Sequence, residues 1–208
     1  MPAGSTSRWD GDGAVRLYAR DDQRWALLIE RCDPGTPLSA AADPLGVRIG
    51  LLPRLWKPAC APFEAVVDWS AAFRDEWETR GQPFDRALVD AGCALVRDLV
   101  PSQGERVLIN QDLHGGNVLA AAREPWLVID PKPVLAEREF SLAPIVRSSE
   151  LGHGRSAVRY RLDRLTGELG LDRERARGWT IAHTLAWAFD DDRGVVEQHL
   201  DVARWLLG

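Results

Sequence analysis

Short apolar blocks open the chain. Ala14 to Ala19 (AVRLYA) and Trp25 to Glu30 (WALLIE) are separated by the polar stretch RDDQR, a pattern that predicts two strands joined as a hairpin. The following RCDPGTPLSAAADP is punctuated by Pro and Gly and reads as a linker or crossing loop. From Asp43 the spacing turns helical. Leu45, Ile49, Leu52 and Leu55 form one apolar stripe, and Leu88, Ala91, Leu95 and Leu99 form another, with Asp85 in the N-cap position. Strand-like runs return at Val107 to Ile109, Val118 to Ala121 and Trp126 to Ile129. Beyond Phe140 the pattern is helical to the end, with Asp172 and Asp192 at helix starts and Gly167, Gly170 and Gly194 at ends or turns. A small strand-rich piece followed by a larger helical one is an α+β arrangement.

Composition narrows the partners. The 208 residues, 45% hydrophobic, suffice for a packed core. A net charge of -5 offers no basic field for nucleic acid or an anionic membrane, so neither is an expected partner. No apolar run reaches the length of a membrane span and the N-terminal MPAGSTSRWDGDG is polar, so a cytoplasmic protein is expected. Cys32, Cys60 and Cys93 form no C-x-x-C pair and suggest neither a disulfide framework nor a zinc site. Only Lys57 and Lys132 among the 26 basic residues are lysines, so chemistry that requires a lysine has two candidates.

The chemistry-bearing stretch is VLINQDLHGGNVL, Val107 to Leu119, followed by WLVIDPK. If the runs at Val118 and Trp126 pair as a hairpin, Asn117 at its start and Asp130 at its far end meet at one edge. A carboxylate and an amide oxygen there suit a hard, oxygen-preferring cation such as Mg²⁺, with positions left for phosphate oxygens and water. Asp112, slightly displaced, is then free to accept a proton from an attacking hydroxyl, the layout of phosphoryl transfer. Asp, Asn and Gly are also common turn residues, and spacing alone leaves that reading open.

NQDLHGGNVL, REPWLVIDPKP and EFSLAPIVR together resemble the aminoglycoside phosphotransferases, whose H-G-D-L-H-x-G-N and I-D-x-x sequences form the catalytic loop and metal segment of a protein-kinase-like fold. The resemblance is strongest to the branch with streptomycin 6-kinases and hydroxyurea phosphotransferases, whose LLLERLDPG-like hinge has its counterpart in LLIERCDPGTPLS, Leu27 to Ser39. It implies Asp112 as catalytic base, Asn117 and Asp130 as magnesium ligands, and backbone of Glu30, Arg31 and Cys32 near the nucleotide, with ATP and Mg²⁺ as cofactors. It further implies residues 1–35 as the remnant of an N-terminal β lobe with its hinge, and 36–208 as the helical catalytic and substrate-binding lobe.

Three departures stand out. Asn110 occupies the position of a loop-supporting His. Ser141 occupies that of an Asp that braces the catalytic loop. A Gly-rich loop and a strand lysine are expected before Trp25, yet GDG at Gly11 to Gly13 does not continue as G-x-G-x-x-G and no lysine precedes Lys57, so the chain is expected to be N-terminally truncated. The substrate implied is a small cationic antibiotic, and Asp190, Asp191 and Asp192 in WAFDDD are candidates to contact it, with a solvated helix end as the alternative. The competing readings are a non-catalytic remnant of such a kinase and a kinase of another small alcohol. His114, His153, His183 and His199 read as structural, and the nine tryptophans as core.

Overall fold

In the computed structural model, which describes Trp9 and residues 11–58, 61–190 and 194–208, the first two apolar runs form the antiparallel hairpin β1 (Leu17–Asp21) and β2 (Ala26–Ile29). The polar connection closes as expected of an Asp-led turn, with Asp21 Oδ1 accepting from the amides of Gln23 and Arg24 at 3.0 and 3.1 Å. The segment expected to be only a linker contributes β3 (Pro34–Pro37). Helix α1 (Pro44–Leu55) follows, capped by Asp43, whose side chain accepts from Gly46 N at 2.9 Å, and it buries Leu45, Ile49, Leu52 and Leu55 as their spacing predicts. After β4 (Lys57–Pro58) come α2 (Ser70–Thr79) and α3 (Arg86–Leu99). Asp85 precedes α3 but makes no side-chain capping bond, and the buried stripe runs through Leu88, Val89, Cys93, Val96 and Leu99, with Ala91 and Leu95 only half-buried. The face is rotated because Val89 and Val96, apolar but outside the expected stripe, are the ones that meet the core.

The remaining elements are β5 (Val107–Asn110), β6 (Val118–Ala121), β7 (Trp126–Val128), β8 (Pro133–Ala136), α4 (Ala143–Val146), α5 (Arg155–Leu169), α6 (Arg173–Ala186), β9 (Phe189–Asp190), β10 (Gly194–Val195) and α7 (Glu197–Leu207). Asp172 caps α6 by accepting from Glu174 N and Arg175 N, as its position suggests. Gly170 ends α5 in the left-handed conformation at φ 65°, whereas Gly167 lies inside that helix. The tail is not helical throughout, since β9 and β10 form a small antiparallel pair.

The described residues include two three-stranded antiparallel sheets, β3-β6-β7 and β4-β5-β8. Every proline-bearing strand in them, β3, β4 and β8, is an edge strand, where a missing N–H costs no central ladder bond. All four residues of β5 are buried; each such apolar side chain contributes about 1.5–3 kcal/mol over the exposed state.

The chain clusters into two compact units, one of residues 1–65 and 106–141, the other of 66–105 and 142–208. This is a different cut from the hinge-based one after residue 35. In the first unit, Trp9 is buried with its indole N–H on Leu55 O at 2.7 Å. In the second, half-buried Trp69 stacks on buried Trp179 at 6.1 Å between ring centroids and buried Trp77 donates to Phe84 O; Trp25 and Trp187, by contrast, are exposed, so a core role does not extend to all nine tryptophans. Among the described residues no helix is long and apolar enough to cross a membrane.

Candidate active site

The site is assembled by strand register. β6 and β7 pair with Val118 opposite Val128, and the ladder continues as Ile129 N donates to Asn117 O at 3.0 Å. Asn117 and Asp130 are thereby neighbours at one edge. Asn117 Nδ2 donates to Asp112 O at 3.2 Å, which directs its amide oxygen away from that carbonyl. Asp130 is half-buried, and among the described residues it makes no hydrogen bond or ion pair with protein.

The second sheet delivers Lys132. β5 and β8 pair with Asn110 opposite Pro133, and Gln111 N extends the contact by donating to Lys132 O at 3.0 Å. Lys132 Nζ then donates to Asp112 Oδ2 at 2.5 Å. The Asp112 carboxylate is deeply buried, where a paired partner offsets the cost of removing it from water. His114 Nε2 stands 3.9 Å from the same oxygen, beyond hydrogen-bond distance, while its Nδ1 accepts from Gly116 N at 3.1 Å. A Cβ on Gly116 would lie 3.0 Å from His114 Cε1, which accounts for the second glycine of the pair. His114 is a turn-forming residue, as expected.

Asn110 joins the two halves. Its buried Oδ1 accepts from Asp112 N at 3.1 Å and from Lys132 N at 2.9 Å, tying the Asp112 loop to the segment after Asp130. Its Nδ2 is buried without a protein partner. Ser141 is fully buried, donating to Arg138 O and accepting from Trp56 Nε1 at 3.1 Å.

At the end of β2, Glu30 N donates to Arg16 O at 2.8 Å and its carboxylate receives Arg123 through Nε and Nη2 at 2.8 and 2.9 Å. That guanidinium holds the Glu30 carboxyl below its usual range. Arg123 also donates to the carbonyls of Gly11 and Ala14, so one side chain on the turn after β6 fixes the strand end and the N-terminal loop. Nothing in the linear pattern marked it. The backbone groups of Arg31 and Cys32, by contrast, have no protein partner among the described residues. Burial, followed by the charge of Glu30, pushes the Cys32 thiol up.

Asp190 lies in β9 rather than at a helix end, because α6 stops at Ala186. Phe189, packed on Phe73 and Phe84 at 5.9 and 5.6 Å, anchors that strand, and Arg80 Nη1 donates to Asp190 O at 3.3 Å. Asp191 and Asp192 lie outside the described residues.

Among the described residues no group of three or more His, Cys, Asp and Glu could alone hold a metal ion. The pair Asn117 and Asp130 fits a more modest demand: two hard oxygen donors for a cation that completes its shell with phosphate and water.

Residues 3–194 match the family model described as aminoglycoside/hydroxyurea antibiotic resistance kinase. A streptomycin 6-kinase of Streptomyces griseus is 39% identical over 88% of this chain and 64% of its own length. A hydroxyurea phosphotransferase of Kitasatospora aureofaciens is 36% identical over 96% of this chain and 62% of its own. The chain therefore spans a little under two thirds of these relatives. In fold it is similar to the choline kinase LicA of Streptococcus pneumoniae, with a TM-score of 0.68 at 13% identity over 98% of this chain and 76% of that one. It is also similar to the aminoglycoside phosphotransferase APH(4)-Ia, with a TM-score of 0.59 at 16% identity over 97% and 77%.

Proposed function

Because the chain belongs to the aminoglycoside/hydroxyurea antibiotic resistance kinase family and has the α+β kinase-like fold, we propose that it transfers a phosphoryl group from ATP to an alcohol of a small cationic antibiotic of the streptomycin type or a related molecule. The observation that carries this reading is the convergence of a buried Asp112, an Asn117 amide oxygen and a protein-unpaired Asp130 on adjoining strand ends. Asp112 accepts the proton of the acceptor hydroxyl as its oxygen bonds to the γ-phosphorus. The bond from that phosphorus to the bridging oxygen breaks and its electron pair leaves with ADP. Asn117 and Asp130 would hold a magnesium ion, which when bound neutralises charge on the phosphate oxygens. The open backbone of Arg31 and Cys32 receives the adenine edge, with Glu30 fixing the strand behind them. In this reading residues 1–35 carry the hinge, 36–208 carry catalysis and substrate binding, and Asp190 to Asp192 attract the cationic substrate. The reaction belongs in the cytoplasm, where ATP and Mg²⁺ are supplied.

Calorimetric titration with ATP and Mg²⁺ is the test. Wild-type protein binds, Asp130→Ala loses the magnesium dependence, and Asp112→Asn retains binding while phosphotransfer to streptomycin or hydroxyurea falls about 100- to 10,000-fold. Folded wild-type chain without magnesium-dependent ATP binding would overturn the proposal.

A further inference from the structure

The two lysines of the chain have separate fates. Lys57 donates to Asp12 at 2.5 Å, in a network that Arg54 shares, and holds the Asp12 carboxyl below its usual range. Lys132 is the lysine that reaches the candidate base. Its backbone is fixed on both sides, its N–H on Asn110 Oδ1 and its carbonyl on Gln111 N, so the side chain starts from a braced strand end. Its side chain is 36% exposed against 7% for that of Asp112, which makes the ammonium the more accessible partner of the pair.

From this geometry we infer that Lys132 is a catalytic residue that binds the transferring phosphoryl group, its ammonium bridging Asp112 and a phosphate oxygen. The inference rests on the phosphotransferase reading of the same site. An acceptor hydroxyl must lie about 3 Å from an Asp112 oxygen to give up its proton, and the phosphorus must approach that hydroxyl to about 3–3.5 Å. A phosphoryl group held there lies alongside the carboxylate that Lys132 already touches.

Charge argues the same way. Asp112 and Asp130 stand at the site where a multiply anionic phosphate must enter, and a single divalent ion leaves negative charge over. Lys132 supplies a fixed positive charge that stays within reach as the phosphoryl group leaves ADP.

The experiment compares two ligands on the full chain with Mg²⁺ present: ADP and an ATP analogue with a non-hydrolysable β–γ bridge, each titrated calorimetrically. Lys132→Met is expected to weaken the analogue about ten- to a hundred-fold, the loss of one charge-assisted hydrogen bond, and to leave ADP affinity unchanged. Lys132→Gln, whose amide still donates to Asp112, gives the same selective loss and decides the matter if the Met variant does not fold. Equal weakening of both ligands, or of neither, would overturn the assignment and leave Lys132 as a structural partner of Asp112. Wild-type protein that binds neither nucleotide would overturn the phosphotransferase reading itself, and this assignment with it.

Discussion

Asn110 illustrates how a single side chain can join two sequence segments. Its Oδ1 accepts two backbone amides, that of buried Asp112 and that of half-buried Lys132. An asparagine at the position where the family resemblance implies a histidine thus braces the loop through its oxygen. Asn110→Ala removes both accepted bonds, each left donor costing about 1–3 kcal/mol, but also removes the buried unpartnered Nδ2, which returns part of that cost. The expected net destabilisation is about 1–3 kcal/mol in urea unfolding, with phosphotransfer lowered because Asp112 and Lys132 lose their common brace. An Asn110→Ala protein as stable and as active as wild type would show that the loop is positioned by the strand ladder alone.

At the scale of elements, similar aspartates before helices differ in what they contribute. Asp43 and Asp172 accept backbone amides at the starts of α1 and α6, whereas Asp85 stands before α3 without such a bond. Replacing Asp43 or Asp172 by Ala should cost about 1 kcal/mol each. Asp85→Ala should change stability by no more than about 0.5 kcal/mol, since its nearest charged contact is a 3.9 Å pair with Arg204 at the surface. Chemical denaturation of the three variants checks the ranking, and an Asp85→Ala loss equal to the others would contradict it. Helix starts were readable because capping is local, but whether the side chain turns onto the helix depends on its rotamer in the folded chain.

Across the whole molecule, the two units carry different acid-sensitive groups. In the second unit His183 is buried and held well below its ordinary range by burial and then by Arg147, which lies 2.9 Å away. His199, on Trp187 O through Nδ1, is lowered to about 4 by the same two causes in the same order. A histidine whose folded pKa is depressed takes up protons more readily when unfolded. Its contribution is present above the unfolded value of about 6.5 and is lost as pH falls from there towards about 4. In the first unit Asp12 and Glu30 are depressed carboxylates, whose contribution is present above about 4.5 and lost only below it. Thermal melts should therefore show a lower transition at pH 5 than at pH 7.5, with His199→Gln reducing the difference. A transition independent of pH across that interval would refute the assignment.

The linear sequence determined the features that depend on near neighbours: the first hairpin, the β6–β7 hairpin with Asn117 and Asp130 at one edge, the stripe of α1, and the family motif around Asp112. It left Pro34–Pro37 and Pro133–Ala136 unread as strands, because their prolines mimic loops and their partners lie far along the chain. The tertiary structure decided the rest. Setting Asn110 opposite Pro133 is what brings Lys132 onto Asp112, twenty residues away, and only the folded chain brings Glu30, at the end of β2, to Arg123 on the turn after β6. Local periodicity fixes which face of a segment is apolar, but pairing register between distant strands is set by how those faces pack, and that register assembles the site.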